Sequence, residues 1–255
     1  MRIGTLLRRI APVVAISAAA GLAACDNVNV EFESDGVPLA ELDMSAAPTE
    51  VALASPDTVI ITAGEDFAIY VEGSAAARDR MRFALDGDTL GIHRSEGDWS
   101  SSDSATVNIT MPPPGALIMA GSGTMRTNAL SEDASIVLAG SGEVTASGIA
   151  ANKLEVVNGG SGTVNLSGRT DTLELNVAGS GAANMESLVV GDAEVTLAGS
   201  GLTSFASDGN VDATIMGSGT VRVNGSANCT VNSMGSGSLV CESGAAAAED
   251  ADEPA

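Results

Sequence analysis

The residues best placed to do chemistry in this chain are carboxylates that recur at a fixed interval. Glu155, Glu174, Glu194 and Asp212 lie 19, 20 and 18 residues apart, each five positions before a Gly-Ser-Gly tripeptide. If each interval is one turn of a coil, the four carboxylates stack at the strand spacing of about 4.8 Å. Charges so close repel, so the column should either recruit a divalent cation, with weakly bound Ca²⁺ foremost, or loosen the coils. The plainer alternative is a solvated acidic face on a very acidic protein. A calcium-binding nonapeptide code would need aspartate just after the glycines. Thr124, Glu143, Thr163, Ala182, Leu202, Thr220 and Ser238 stand there instead.

No catalytic residue is assigned. His93 is the single histidine, and a lone histidine in a β-rich region is more often structural than catalytic. The serines have no nucleophile-elbow motif around them. The coils carry only Arg126, Lys153, Arg169 and Arg222 as bases, with Arg126 and Arg222 in one column but five coils apart. Cys229 and Cys241 both fall at inward parity in the last coil. They are either a disulfide or two buried thiols, because parity alone does not bring their Cα atoms within the roughly 7 Å that a bridge requires.

The element that positions all of these is the tripeptide itself. Gly-Ser-Gly begins at Gly121, Gly140, Gly160, Gly179, Gly199, Gly217 and Gly235, in steps of 18 to 20 residues. A period of this size marks a solenoid. Four positions before the first glycine stand Leu117, Ile136, Val156, Leu175, Val195, Ala213 and Val231. Two before it stand Met119, Leu138, Asn158, Val177, Leu197, Ile215 and Ser233, and four after it Met125, Val144, Val164, Ala183, Thr203, Val221 and Leu239. This period of two on both sides of the tripeptide predicts two strands meeting at a glycine corner. The fold expected is therefore all-β, a right-handed parallel β-helix of about seven coils, since parallel crossovers are right-handed. The serines of the tripeptides should face outward, bonding the backbone at the corner or meeting a sugar or an ordered water lattice. Asn158 interrupts an inward column and needs a buried partner. The stretches after each corner, such as 147–152 and 206–210, read as loops that absorb the variation in period.

Around the coils the chain divides further. Residues 1–24 read as a signal peptide, with Arg8 and Arg9 before an apolar run that is short for a membrane span. The run ends in Leu22-Ala23-Ala24-Cys25, which resembles the bacterial lipoprotein lipobox and implies lipidation of Cys25, hence a membrane partner through a lipid anchor. Residues 25–48 read as a tether and 49–114 as an N-terminal β cap, with strands at 58–62, 67–72, 81–85, 89–94 and 106–111. Residues 115–242 form the coils, and 243–255 read as a disordered acidic tail. Loss of the leader removes three arginines and no acid, taking the net charge from −22 to −25. Such a balance argues against nucleic acid, and 2% aromatic residues leave few stacking platforms for bases or sugars.

The strand Phe67-Ala-Ile-Tyr-Val-Glu72, the hairpin Leu85-Asp-Gly-Asp-Thr-Leu90, the strand Val107 to Pro112 and the repeated Gly-Ser-Gly together resemble the putative auto-transporter adhesin head GIN domain family over about residues 50–242. The resemblance implies a secreted or surface-attached β-helical domain and brings no catalytic residues. The expected function is a non-catalytic, adhesin-like binding module of the cell envelope that meets a glycan or an envelope protein. A periplasmic accessory protein with a membrane-protein partner is the alternative, and a polysaccharide-active enzyme ranks third.

Overall fold

The computed structural model describes residues 35–95, 97 and 104–242. The leader, Cys25 and the rest of the tether up to residue 34, Trp99 and the acidic tail lie outside the described residues.

The repeat folds as a parallel β-solenoid with two strand stacks back to back. Seven coils carry the tripeptide, each with one strand before the corner and one after it. In chain order these strands are β7 (Ala116–Gly121), β8 (Thr124–Thr127), β9 (Asp133–Gly140), β10 (Glu143–Gly160), β11 (Thr163–Gly179), β12 (Ala182–Gly199), β13 (Leu202–Ser207), β14 (Asn210–Gly217), β15 (Thr220–Asn224), β16 (Asn228–Gly235) and β17 (Ser238–Glu242). The first stack contains the strands that enter each corner, and the second those that leave it. The three inward columns lie between them and are at most 4% exposed from Leu117 through Val223. Burial of that alternating face drives the fold. In the last coil the same columns open, and Val231 is 49% exposed.

The stretch 147–152, expected as a loop, belongs to a strand. β10, β11 and β12 run through the second corner without a break, and their registers shift between Ala146 and Ile149, Asn165 and Ser167, and Met185 and Val189. The variation in period is absorbed by these bulges, which keep most backbone groups on the ladder. At the second corner the chain leaves it at 128–132, 208–209 and 225–227.

The region before the coils is more than a cap, because four of its strands are coils without the tripeptide. They are β1 (Glu50–Leu53), β2 (Thr58–Ala63), β5 (Thr89–Arg94) and β6 (Thr106–Met111). β1 lies between β5 and β7, and β2 between β6 and β8, all parallel. Two antiparallel strands finish the end, β3 (Ala68–Glu72) on β6 and β4 (Met81–Asp86) on β5. A short helix, α1 (Ala75–Arg80), joins them, N-capped by Ser74, with Ala77 buried in the common core.

The corner explains the tripeptide. Gly179 has φ +121°, and a Cβ there would run into the carbonyl oxygen of Gly160 in the coil above. A side chain on the third glycine, Gly181, would strike Asn158 and the Gly162 carbonyl. Serine amides complete the ladder, as in Ser180 N–H to Gly160 O at 3.0 Å. In the coil of β1 and β2 the register sets Ser55-Pro56-Asp57 against Gly121-Ser122-Gly123. Asp57 is wholly buried there and accepts from Ser55 Oγ at 2.8 Å, Arg94 Nε at 2.6 Å and the Ala105 amide at 2.7 Å, with a second bond from the Arg94 guanidinium. Asp57 thereby ties the end of β5 to the residue that precedes β6 in the neighbouring coil.

Gly179→Ala should cost about 1–3 kcal/mol, lowering the melting temperature by about 2–12 °C for a chain of this size. Ser180→Ala should leave it within about 2 °C. Thermal unfolding by circular dichroism distinguishes the two. Asp57→Ala should cost about 3–5 kcal/mol by removing the bidentate carboxylate from a buried guanidinium, and Asp57→Leu with Arg94→Met should cost clearly less than the two single changes added, as read by a double-mutant cycle in urea.

Candidate functional site

The carboxylate column is real in register. Glu155 lies opposite Glu174, Glu174 opposite Glu194 and Glu194 opposite Asp212, on the outer face of the first stack. Ser135 and Thr230 flank it. Lys153 sets its ammonium 3.2 Å from Glu174, with both side chains about two-fifths exposed, so the pair adds little to stability. Among the described residues no group of three or more His, Cys, Asp or Glu side chains is gathered to hold a metal ion. The column is a row of carboxylates crossed by one lysine.

Two other acids do more for the coils. Asp192 Oδ1 accepts from the Asn210 amide at 2.9 Å and from Asn210 Nδ2 at 3.0 Å. Asp208 Oδ1 accepts from the Ser226 amide and hydroxyl, both at 2.8 Å. Each aspartate clips the second corner of the next coil. The backbone amides, then the side-chain donors, hold both carboxyls below their ordinary value. The signal in the sequence is an aspartate followed one period later by a small polar residue, as in Asp192 and Asn210 or Asp208 and Ser226.

The outer face of the second stack carries a different chemistry. One column runs through Thr124, Glu143 and Thr163, and its neighbour through Arg126, Thr145, Asn165, Asn184, Ser204 and Arg222. Glu143 Oε1 accepts from Thr145 Oγ1 and from Asn165 Nδ2, each at 3.2 Å, and Asn165 Oδ1 accepts from Asn184 Nδ2 at 3.0 Å. Further along, Ser204 Oγ donates to Glu186 at 2.6 Å, which lowers the carboxyl pKa of Glu186. An open cleft of roughly 350 Å³ lies beside this network, lined by Ser122, Thr124, Ser141, Glu143, Thr163 and Asn165. It offers hydroxyls, a carboxamide and one carboxylate at the coil spacing, an array suited to hydrogen-bonding a ligand with its own repeated polar groups.

The remaining expected residues fall as follows. Cys229 and Cys241 are bridged, with Cα atoms 6.7 Å apart, which joins β16 to β17 across the last coil. Asn158 is fully buried and donates to Gly162 O at 3.0 Å and Ala182 O at 3.2 Å. The tripeptide serines are exposed. His93 sits in β5 with Nε2 3.1 Å from the Asp35 carbonyl oxygen, and burial pushes its pKa down. It ties the entering chain to the cap. Among the described residues no helix is long and apolar enough to cross a membrane.

The aspartate clips have a pH signature. Their folded pKa values lie below the unfolded ones, so the stability they add is complete above the ordinary value of 3.8 and is lost as pH falls through the lowered values. The amide resonances of Asn210 and Ser226 should titrate with midpoints below 3.8, and Asp192→Ala should abolish the response at Asn210 alone. Midpoints at or above that value would remove the clips from the account.

The fold has solved counterparts. A putative adhesin from Bacteroides fragilis superposes with a TM-score of 0.74 at 19% identity, covering 78% of this chain and 94% of its own. A putative lipid binding protein from Parabacteroides distasonis gives 0.59 at 21% identity, with 77% and 93% covered. A putative adhesin from Parabacteroides merdae gives 0.57 at 14%, with 78% and 94% covered. No curated protein matches the chain. The family model described as putative auto-transporter adhesin, head GIN domain, matches residues 47–227, from the first tripeptide-free coil to the start of the last one, and the chain belongs to that family.

Proposed function

We propose that this protein is a non-catalytic lipoprotein of the bacterial cell envelope that holds its solenoid on a lipid anchor at Cys25 and uses the outer faces of the coils to bind. The observation that carries the reading is the hydrogen-bonded polar face of the second stack. Glu143, Asn165 and Asn184 are fixed by one another on rigid strands, so a ligand meets groups that lose little freedom on binding. The ligand class that fits is a glycan or a polar segment of an envelope protein. Family membership and adhesin-like counterparts support a binding module.

The alternative is an accessory protein inside the envelope that contacts a membrane protein. It draws on exposed apolar side chains on the coil faces, with Val189 47%, Leu202 44% and Met216 39% exposed. Exposed apolar side chains of this size suit a protein partner better than a sugar.

Cys25→Ser should abolish palmitate labelling and move the protein from the membrane to the soluble fraction, whereas retention with the membrane would remove the anchor from the proposal. Protease added to intact cells should destroy the coils if they face outward and bind there. Protection until the outer membrane is opened would select the accessory role.

A further inference from the structure

The two ends of the solenoid are built differently. The N-terminal end is finished by antiparallel β3 and β4 and by α1 across the core, and residues 35–42 pair with β4 through Val37 and Phe83. The C-terminal end stops at β16 and β17, each paired on one side among the described residues. Their inward columns are open, with Val231 49% exposed and Leu239 and Cys229 half-buried. Outward, Met234 is 64% and Val240 36% exposed. Natural edge strands are usually blunted by lysine, proline or a bulge. Residues 228–242 contain no lysine, arginine or proline, and Glu242 is their one charged side chain in a chain of net charge −22. Even that carboxylate has a partner, Arg222 Nε at 3.8 Å. The Cys229–Cys241 bridge holds the two edge strands to each other, so the edge is preorganised.

We infer that this end is a homophilic contact, in which the β16 and β17 edges of one molecule pair with the same edges of a second copy about a two-fold axis. Symmetry makes the pairing antiparallel. An axis through Val231 sets that valine opposite its counterpart and keeps both inward columns inward, joining the two cores. Charge selects a second copy over an acidic or basic partner. The acidic column ends at Asp212, one strand in from the edge. The two Asp212 residues would lie three strand spacings apart, about 14 Å, beyond the screening length of about 8 Å at physiological salt. The Asp212 columns of the two copies therefore do not face each other across the joint. An edge about 27 Å long and about 20 Å thick gives a total buried area of about 1,100 Å². That is the size of a weak, reversible contact.

The contact is independent of the ligand on the coil faces and is tested in solution. Sedimentation equilibrium on residues 25–255 carrying Cys25→Ser, from about 5 to 500 μM, should show the apparent mass rise toward twice the monomer. Val231→Lys should hold it at the monomer value, and Leu202→Lys on a side face should leave the rise unchanged. Circular dichroism and the melting temperature of both variants report whether the coils stay folded. As a second probe that leaves the core intact, a spin label at Asn232→Cys should give a dipolar distance below about 25 Å, and one at Arg126→Cys, six coils from the edge, should not. A monomer throughout the range overturns the proposal. So does dimerisation seen only after removal of residues 243–255, which would make the tail the occupant of the edge. A dimer broken by Leu202→Lys but not by Val231→Lys overturns it in favour of a side-by-side contact.

Discussion

The close backbone approach of coil on coil at the glycine corner is the constraint on which the rest of the molecule depends. Parallel strands stack at a fixed spacing, and a chain that turns sharply at every coil must bring its corner carbonyl against the corner of the next. At Gly179 and its equivalents that space holds no Cβ, so the corner residue is glycine and the turn is tight enough for serine amides to keep the ladder unbroken. With the corners fixed, every alternate side chain on both arms is driven into one narrow core. The core is accordingly made of Leu, Val, Ile, Met and Ala, with few aromatics. Among the described residues Phe83 and Phe205 are its only fully buried rings, with Phe67 packed against it. The corner thus sets the composition as well as the shape.

Where the tripeptide is missing, a different interaction does the same work. Asp57 occupies the register position of a third glycine and fills the corner with a carboxylate satisfied by a serine, a backbone amide and a bidentate arginine. A buried ion pair is poor at adding net stability but strongly penalises any arrangement that separates its members. Here the members come from β5 and from the corner between β1 and β2, strands that are distant in sequence and adjacent in the stack. The pair therefore selects the order in which the first coils are laid, with the later β5–β6 coil above the earlier β1–β2 coil.

The periodic part of this architecture was legible in the sequence because glycine spacing and alternating burial are both local. The inward columns from Leu117 to Val223 can be read by parity alone, and so can the register of Glu155, Glu174, Glu194 and Asp212. The non-periodic part was less legible. Strands such as Thr89–Arg94 and Thr106–Met111 can be located from their pattern, but nothing local says that they stack as a coil on β1 and β2. α1 was missed because six residues are too few for a helical period, and β1 because four residues give little alternation. The loops predicted at 147–152 failed for the opposite reason. Polar, glycine-containing sequence was read as irregular, yet neighbouring coils supply ladder partners to whatever backbone lies beside them. The aspartate clips are not legible as a cluster of acids, because each acts on an amide one period away.

A solenoid of this kind separates its work by direction. Inward positions are committed to packing, and substitution there is costly. Along the axis, each coil presents backbone donors and acceptors to the next, which is structural until the stack ends. Only the outward columns are free to vary, and they vary in a graded way. On the first stack the column three positions before the corner changes from Ile118, Val137 and Val157 to Asn176, Thr196 and Thr214. On the second stack, Glu143, Asn165 and Asn184 form a bonded row. Catalysis needs a few groups converging on one point with distinct proton affinities. These faces spread similar groups along a line, at a spacing set by the backbone. A line of matched donors and acceptors gains affinity by meeting a ligand with a repeat of its own, which is why the geometry favours recognition of an extended partner over chemistry on a small one.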